Sequence, residues 1–179
     1  MSDVLIHPDI DEKLRKVRLF LCDVDGVLTD ATIVVGEEVE LKQFHIRDGL
    51  GIKLLQQANI KVGWISHRTS IATAVRGEEL KIDFLHHRPG SKVEAVSAVL
   101  EETGLSWEEV SFIGDDLYDL GAMKRAGVSF AVADGIDEVK AMADYVTKAA
   151  GGRGAVREAA EFILKAQGRW DGIVGACAI

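Results

Sequence analysis

Cysteine is scarce: the 179-residue chain has two, too few for the disulfide framework of a small secreted fold. Cys22 lies inside an apolar run and reads as core, and Cys177 lies in the tail; a free cysteine ordinarily behaves as a small hydrophobe. Long apolar runs are missing too. None approaches the ~18 residues of a membrane span, and the opening "MSDVLIHPDIDEKLRKVR" has mixed charge and no apolar leader core, so the expected location is cytoplasmic. Positive charge is in deficit, with 21 Lys and Arg against 29 Asp and Glu, a net charge of −8 and a pI near 5.1. That balance argues against nucleic acid as a general partner, while leaving room for a local basic pocket. What remains, 47% hydrophobic and 28% charged, is the composition of a soluble globular protein. The length fits a single domain, 1–179, with a core over about 17–167 and a C-terminal tail over 168–179.

Short apolar runs alternate with longer amphipathic ones. "VRLFLCDV", "KVGWIS", "KIDFLH", "EVSFIG", "VSFAVA" and "DYVTKA" read as strands by their β-branched and aromatic content. "TIVVGEEVELKQFH" reads as a hairpin turning at Gly36-Glu37-Glu38. "RDGLGIKLLQQAN" is helical in period, with Leu50, Leu54 and Ala58 on one face. "SIATAVRGEEL", "SKVEAVSAVLEETG", "LYDLGAMKRAG", "IDEVKAMA" and "GAVREAAEFILKAQG" supply further helices, the second stopping at Gly104. Strands alternating with helices predict an α/β fold: a Rossmann-like parallel sheet with helices on both faces, a β-hairpin flap and no cap domain.

In such sheets ligands bind beyond the carboxyl ends of the strands, and the residues there are unusual. "FLCDVDGVLTD" ends a buried strand in Asp23 and Asp25. Ser66, His67 and Arg68 follow "KVGWI", Lys92 opens the helix after "KIDFLHHRPG", and Asp115, Asp116 and Asp119 follow "EVSFIG". Carboxylates from two strand ends can hold a hard cation, and magnesium suits them because it takes few carboxylates and keeps sites for water and phosphate oxygen. A hydroxyl and an ammonium beside it suit the oxygens of a transferring phosphoryl group. A further aspartate offers a nucleophile able to form an acyl phosphate. Each element alone has a bland explanation, such as a helix N-cap for the acidic turn. A lysine at a helix start opposes the helix dipole, however, and all four features together point to chemistry.

These residues resemble the haloacid dehalogenase superfamily, with "DVDGVLTD" similar to its first motif, Ser66 its second, Lys92 its third and "GDDLYD" its fourth. "LKQFHIRDGLGIK", "GDDLYDLGAMKRAGVSFAVADG" and "ADYVTKAAGGRGAVRE" resemble, more narrowly, the small capless phosphatases that act on 3-deoxy-D-manno-octulosonate 8-phosphate (KDO 8-phosphate), from about Val17 to Gln167. The resemblance implies a magnesium-dependent phosphoric monoester hydrolase of lipopolysaccharide precursor synthesis. It implies that Asp23 is nucleophile and metal ligand. Asp25 is the acid/base, contacting the metal and substrate, with its backbone carbonyl as the metal contact. Asp115 completes the metal shell and Asp116 supports it from behind. Ser66 and Lys92 bind the phosphoryl oxygens, and Lys92 offsets the charge on Asp23. His45, Ile46, Arg47, Asp48, Gly49, Lys53, Arg68 and Arg76 contact the substrate.

The resemblance further implies a homotetramer. "GGRGAVRE" and "DGIVGACAI" are candidates for an arm reaching a neighbouring site, the alternative for the last residues being a disordered end. Shelter for an acyl phosphate is otherwise left to the hairpin and a neighbouring subunit. Two departures stand out: His67 where the family usually has glycine, and His87-Arg88 where it often has Gln-Gly. Both lie on the substrate side. His86 and His87 do not read as a metal pair, because adjacent strand residues point to opposite faces. Competing readings are a phosphatase for a nine-carbon keto-acid phosphate, a phospho-accepting signalling module, and a scaffold without activity. The second acidic group after Lys92, and the extra acid/base Asp25, weigh against the signalling module.

Overall fold

Leu19–Cys22 forms the first strand, β1, and every one of its residues is buried. Strand alternation divides them: Phe20 and Cys22 enter one hydrophobic cluster, Leu19 and Leu21 the other. A strand covered on both sides belongs in the middle of a parallel sheet. The computed structural model, which describes residues 10–178, places it there. β1 pairs in parallel with β4 (Lys61–Ser66) and β6 (Val110–Gly114). β5 (Phe84–His87), β7 (Val128–Ala131) and β8 (Tyr145–Val146) complete a six-stranded sheet in the order β5-β4-β1-β6-β7-β8, with every pairing parallel. β2 (Val34–Val35) and β3 (Glu40–Leu41) form a separate antiparallel hairpin between β1 and the next helix. Among the described residues no separate cap domain stands over the sheet.

One face carries α1 (Ile10–Lys16), α2 (Ile46–Gln57), α3 (Ile71–Leu80) and α7 (Ala155–Ala166); the other carries α4 (Lys92–Thr103), α5 (Leu120–Met123) and α6 (Asp137–Met142). Local chemistry sets several ends. The Ser70 and Ser91 side chains accept from the N–H groups of Thr73 and Glu94 to cap α3 and α4, and α4 stops at Gly104 in the left-handed region.

The structure corrects four expectations. Leu50 is 51% exposed, while Leu54 and Ala58 are buried as expected, and Ile52, Leu55 and Asp48 make up the rest of the buried face; two glycines in the helix dilute that stripe. "LYDLGAMKRAG" is not one helix but a 3-10 turn at Leu117–Asp119 followed by short α5, because the Asp119 carboxylate turns back to accept from the N–H groups of Asp115 and Asp116. The core begins before residue 17, since Ile10 and Leu14 are buried in it. The tail is not disordered where described: Trp170–Cys177 is a helix, α8, whose Trp170 ring lies under the charges of Arg157 and Lys165 at 5.4 Å and 5.1 Å. It packs against α7, and Arg169 bonds the Ala58 carbonyl. Among the described residues no helix is long and apolar enough to cross a membrane. Half of the stretch on which the leader assessment rests, residues 1–9, lies outside the described region.

Candidate active site

The ends of β1, β4 and β6 lie side by side, and the acidic and basic residues gather there. The Asp23 N–H donates to the Ile113 carbonyl at 3.1 Å, continuing the ladder and fixing the carboxylate just past the strand. Lys92, the first residue of α4, places Nζ 2.8 Å from Asp23 Oδ1 and 2.6 Å from Asp119 Oδ1, with all three side chains buried. An ammonium at the positive end of a helix, out of water, needs such partners. Burial works against its charge, yet Asp23 and Asp119 outweigh that and hold Lys92 above the ordinary lysine value. The second oxygen of Asp119 accepts from Asp115 N–H at 3.0 Å and Asp116 N–H at 3.3 Å.

Asp23, Asp115 and Asp119 bring one carboxylate oxygen each within 4.8 Å of one another. Asp119 is engaged on both oxygens, whereas Asp115 Oδ1 is buried without a hydrogen-bond partner. The adjacent turn is shaped around Asp115. Gly26 has φ +94°, and a Cβ there would stand 2.0 Å from Asp115 Oδ2. Burial, reinforced by the charges of Asp23 and Asp119, pushes the Asp115 carboxyl up to about 8. Asp23 is pushed up to about 6, chiefly by burial, with Lys92 opposing and Asp119 adding. One ammonium among three carboxylates leaves an excess of negative charge. A hard-oxygen donor set with an open buried oxygen and uncompensated charge fits magnesium.

Asp25 faces the hairpin. Lys42, just past β3, carries its fully covered side chain to the Asp25 carboxylate, with Nζ 2.6 Å from Oδ1 and 2.9 Å from Oδ2, and 3.1 Å from Thr73 Oγ1. Ser66 Oγ accepts from the Arg68 N–H at 3.2 Å. The Arg68 guanidinium pairs with Glu40 of β3, whose other oxygen accepts from the Ser70 hydroxyl at 2.6 Å. The hairpin is thus pinned over the strand ends by charged groups.

The other expected residues divide. His45 starts α2 near the site, and Ile46 and Arg47 are exposed beside it. Asp48 is buried and spent on structure: its oxygens accept from the N–H groups of Gly154 at 3.2 Å and Arg157 at 2.7 Å, capping α7. Arg76 lies against Gly49 and pairs with Glu79 at 2.6 Å. Lys53 bonds the Leu80 carbonyl at the far end of α3, away from the strand ends. Asp116 is exposed and caps the 3-10 turn by accepting from the Leu117 N–H at 2.7 Å, so the support expected of it falls to Asp119. "GGRGAVRE" lies against its own chain: a Cβ on Gly151 would stand 1.8 Å from the Gly26 carbonyl oxygen, so this loop packs on the turn that follows Asp25. Lys42 and Asp119 had no assigned role. The spacing of four residues from Asp115 to Asp119, one turn on, was the signal for the latter.

A parallel sheet with an aspartate pair behind its central strand, a buried lysine against the first of them and, among the described residues, no cap defines a class, and known proteins fall in with it. A family model described as haloacid dehalogenase-like hydrolase matches residues 52–159. The 3-deoxy-D-manno-octulosonate 8-phosphate phosphatase of Salmonella typhimurium is 41% identical over 167 residues, 93% of this chain and 89% of its own. That of Yersinia pestis is 39% identical over 171 residues, 95% of this chain and 91% of its own. The crystal structure of the Moraxella catarrhalis phosphatase of the same name, in complex with magnesium ion, phosphate ion and KDO, superposes with a TM-score of 0.92 at 37% identity, covering 95% of this chain and 99% of that one. The chain belongs to the haloacid dehalogenase-like hydrolases and, within them, to the 3-deoxy-D-manno-octulosonate 8-phosphate phosphatase family.

Proposed function

We propose that this protein hydrolyses KDO 8-phosphate to KDO and phosphate, with magnesium, as a step of lipopolysaccharide precursor synthesis. The observation that carries the reaction type is the buried Asp23–Lys92 pair at the end of β1, with Asp25 two residues on. The family relationship carries the substrate.

An Asp23 oxygen attacks phosphorus as the bond from phosphorus to the sugar's C8 oxygen breaks, and Asp25 passes its proton to that oxygen. A water then attacks phosphorus, Asp25 takes the water's proton, and Asp23 leaves as carboxylate. Lys92 holds a phosphoryl oxygen and keeps Asp23 ionised, and the Ser66 hydroxyl and neighbouring N–H groups hold the others. Asp23, Asp115 and the Asp25 backbone carbonyl would hold magnesium, which when bound offsets phosphoryl charge. Asp119 orients Lys92. Lys42 positions Asp25, an arrangement that turnover uses and a phosphate-storing module does not need.

Arg68 and the His45–Gly49 segment are the sugar-acid contacts nearest the strand ends. Arg76 lies against Gly49 of that segment, whereas Lys53 is turned to the Leu80 carbonyl and reaches a sugar acid only if another copy's site lies there. Val34, Val35, Ile46, Leu50, Ile71 and Val75 leave large apolar side chains exposed on the hairpin, α2 and α3, which supports the homotetramer as part of the same proposal. A solution mass of one chain by light scattering would remove that part. The thiols of Cys22 and Cys177 are free, in keeping with a reducing, cytoplasmic setting.

Phosphate release from KDO 8-phosphate, with and without magnesium and beside a nine-carbon keto-acid 9-phosphate, tests the assignment. Metal-dependent preference for the eight-carbon ester is expected. Equal or reversed preference keeps the chemistry and discards the substrate.

A further inference from the structure

His67 and Tyr118 follow β4 and β6, the two strands on either side of β1. Neighbouring strands stand about 4.8 Å apart, so these two are separated by roughly twice that. Their rings nevertheless stack, with centroids 4.4 Å apart and planes 6° from parallel. The two side chains therefore meet across the end of β1, the strand that delivers Asp23.

Both rings are anchored. His67 Nδ1 lies 3.1 Å from the Gly90 carbonyl, two residues before Lys92. A carbonyl only accepts, so Nδ1 carries the proton. Tyr118 sits in the turn Leu117–Asp119, closed by the Asp119 N–H donating to the Asp116 carbonyl at 2.9 Å, and the next residue grips Lys92. The contacts close a ring from His67 through Tyr118, Asp119, Lys92 and Gly90 back to His67. Tyr118 is 69% exposed, so core packing does not account for it. The opposite bank is the hairpin, where Lys42 meets Asp25 and Glu40 meets Arg68.

We propose that the His67–Tyr118 stack is a fixed wall of the phosphoryl site and a specificity-determining pair. It admits phosphate esters of slender primary alcohols and rejects those whose ring begins at the ester oxygen. The proposal rests on the phosphatase reading above. The wall is tied to the loop that delivers Lys92 and springs from the residue after Ser66, so it borders the place where the phosphoryl group binds. The first atoms beyond the ester oxygen then leave between wall and hairpin. A CH₂ group turns into that space. An aryl carbon holds a rigid ring in line with the ester bond, against the stacked pair. With no cap domain among the described residues, the pair also covers one side of the acyl phosphate.

The test is kcat/KM of the magnesium-loaded protein for p-nitrophenyl phosphate and for KDO 8-phosphate, in wild type, His67→Gly, Tyr118→Ala and Tyr118→Phe. The first two variants are expected to raise the aryl-to-primary ratio about tenfold, the scale on which pocket shape discriminates. Tyr118→Phe keeps the ring and retains the wild-type ratio. An unchanged ratio in both His67→Gly and Tyr118→Ala overturns the wall, as does a Tyr118→Phe ratio that moves with Tyr118→Ala. Failure of the substrate assignment shows differently: wild type then ignores KDO 8-phosphate while cleaving another primary ester such as glucose 6-phosphate, and the ratio is read against that ester. No release from any ester by wild type overturns both.

Discussion

Asp23→Asn is expected to lower magnesium-dependent phosphate release by about 10³-fold or more, the scale of losing a covalent nucleophile. The amide is nearly isosteric with the carboxylate but does not attack phosphorus, so geometry is kept and chemistry removed. The fold is expected to survive. Lys92 keeps its 2.6 Å contact with Asp119, and the variant loses one of three crowded carboxylates. Without metal, that crowding opposes Asp23's charge, so the metal-free variant is expected to melt no lower than metal-free wild type. Rates on the ester and melting curves with and without magnesium check both halves. Retention of more than a few per cent of wild-type turnover would displace Asp23 from the nucleophile's position, and a collapsed fold would leave Lys92 as the part of the pair that stability depends on.

The features legible in the sequence are those carried by local pattern. The all-apolar β1 run ends at Asp23, and its full burial follows from its composition. Ser66 ends, Asp115 follows and Lys92 opens an element whose type can be read from the local pattern, and the sheet then brings them together. Asp48 could not be read in this way. The loop "RDG" looks like a substrate loop, but its aspartate is consumed by the N–H groups of Gly154 and Arg157, more than a hundred residues away. Lys42 was hidden similarly, because only the fold of the hairpin over α3 brings its Nζ to Asp25 and Thr73. The resemblance implies support from Asp116, and no pattern in the sequence shows that a 3-10 turn, not a helix, forms there. That turn rotates Asp116 outward and Asp119 inward.

Lys92→Met separates the lysine's two duties. The substitution keeps length and apolar volume while removing the cation between Asp23 and Asp119. Breaking a buried ion pair from one side costs about 3–5 kcal/mol, because the remaining charge stays buried without its partner. For a chain of this size that lowers the melting temperature by about 10 °C. Turnover falls by about 10²-fold or more through lost stabilisation of the phosphoryl charge. Adding Asp119→Asn to Lys92→Met removes one stranded charge and is expected to recover much of the stability and none of the turnover. Magnesium is expected to protect the single variant more than wild type, since it becomes the only cation left among those carboxylates. If Lys92→Met melts like wild type in the absence of metal, the ion pairs at 2.8 Å and 2.6 Å contribute nothing to the fold. If it melts low but turns over normally, the lysine is structural, and the phosphoryl group is held by Ser66, backbone N–H groups and magnesium alone.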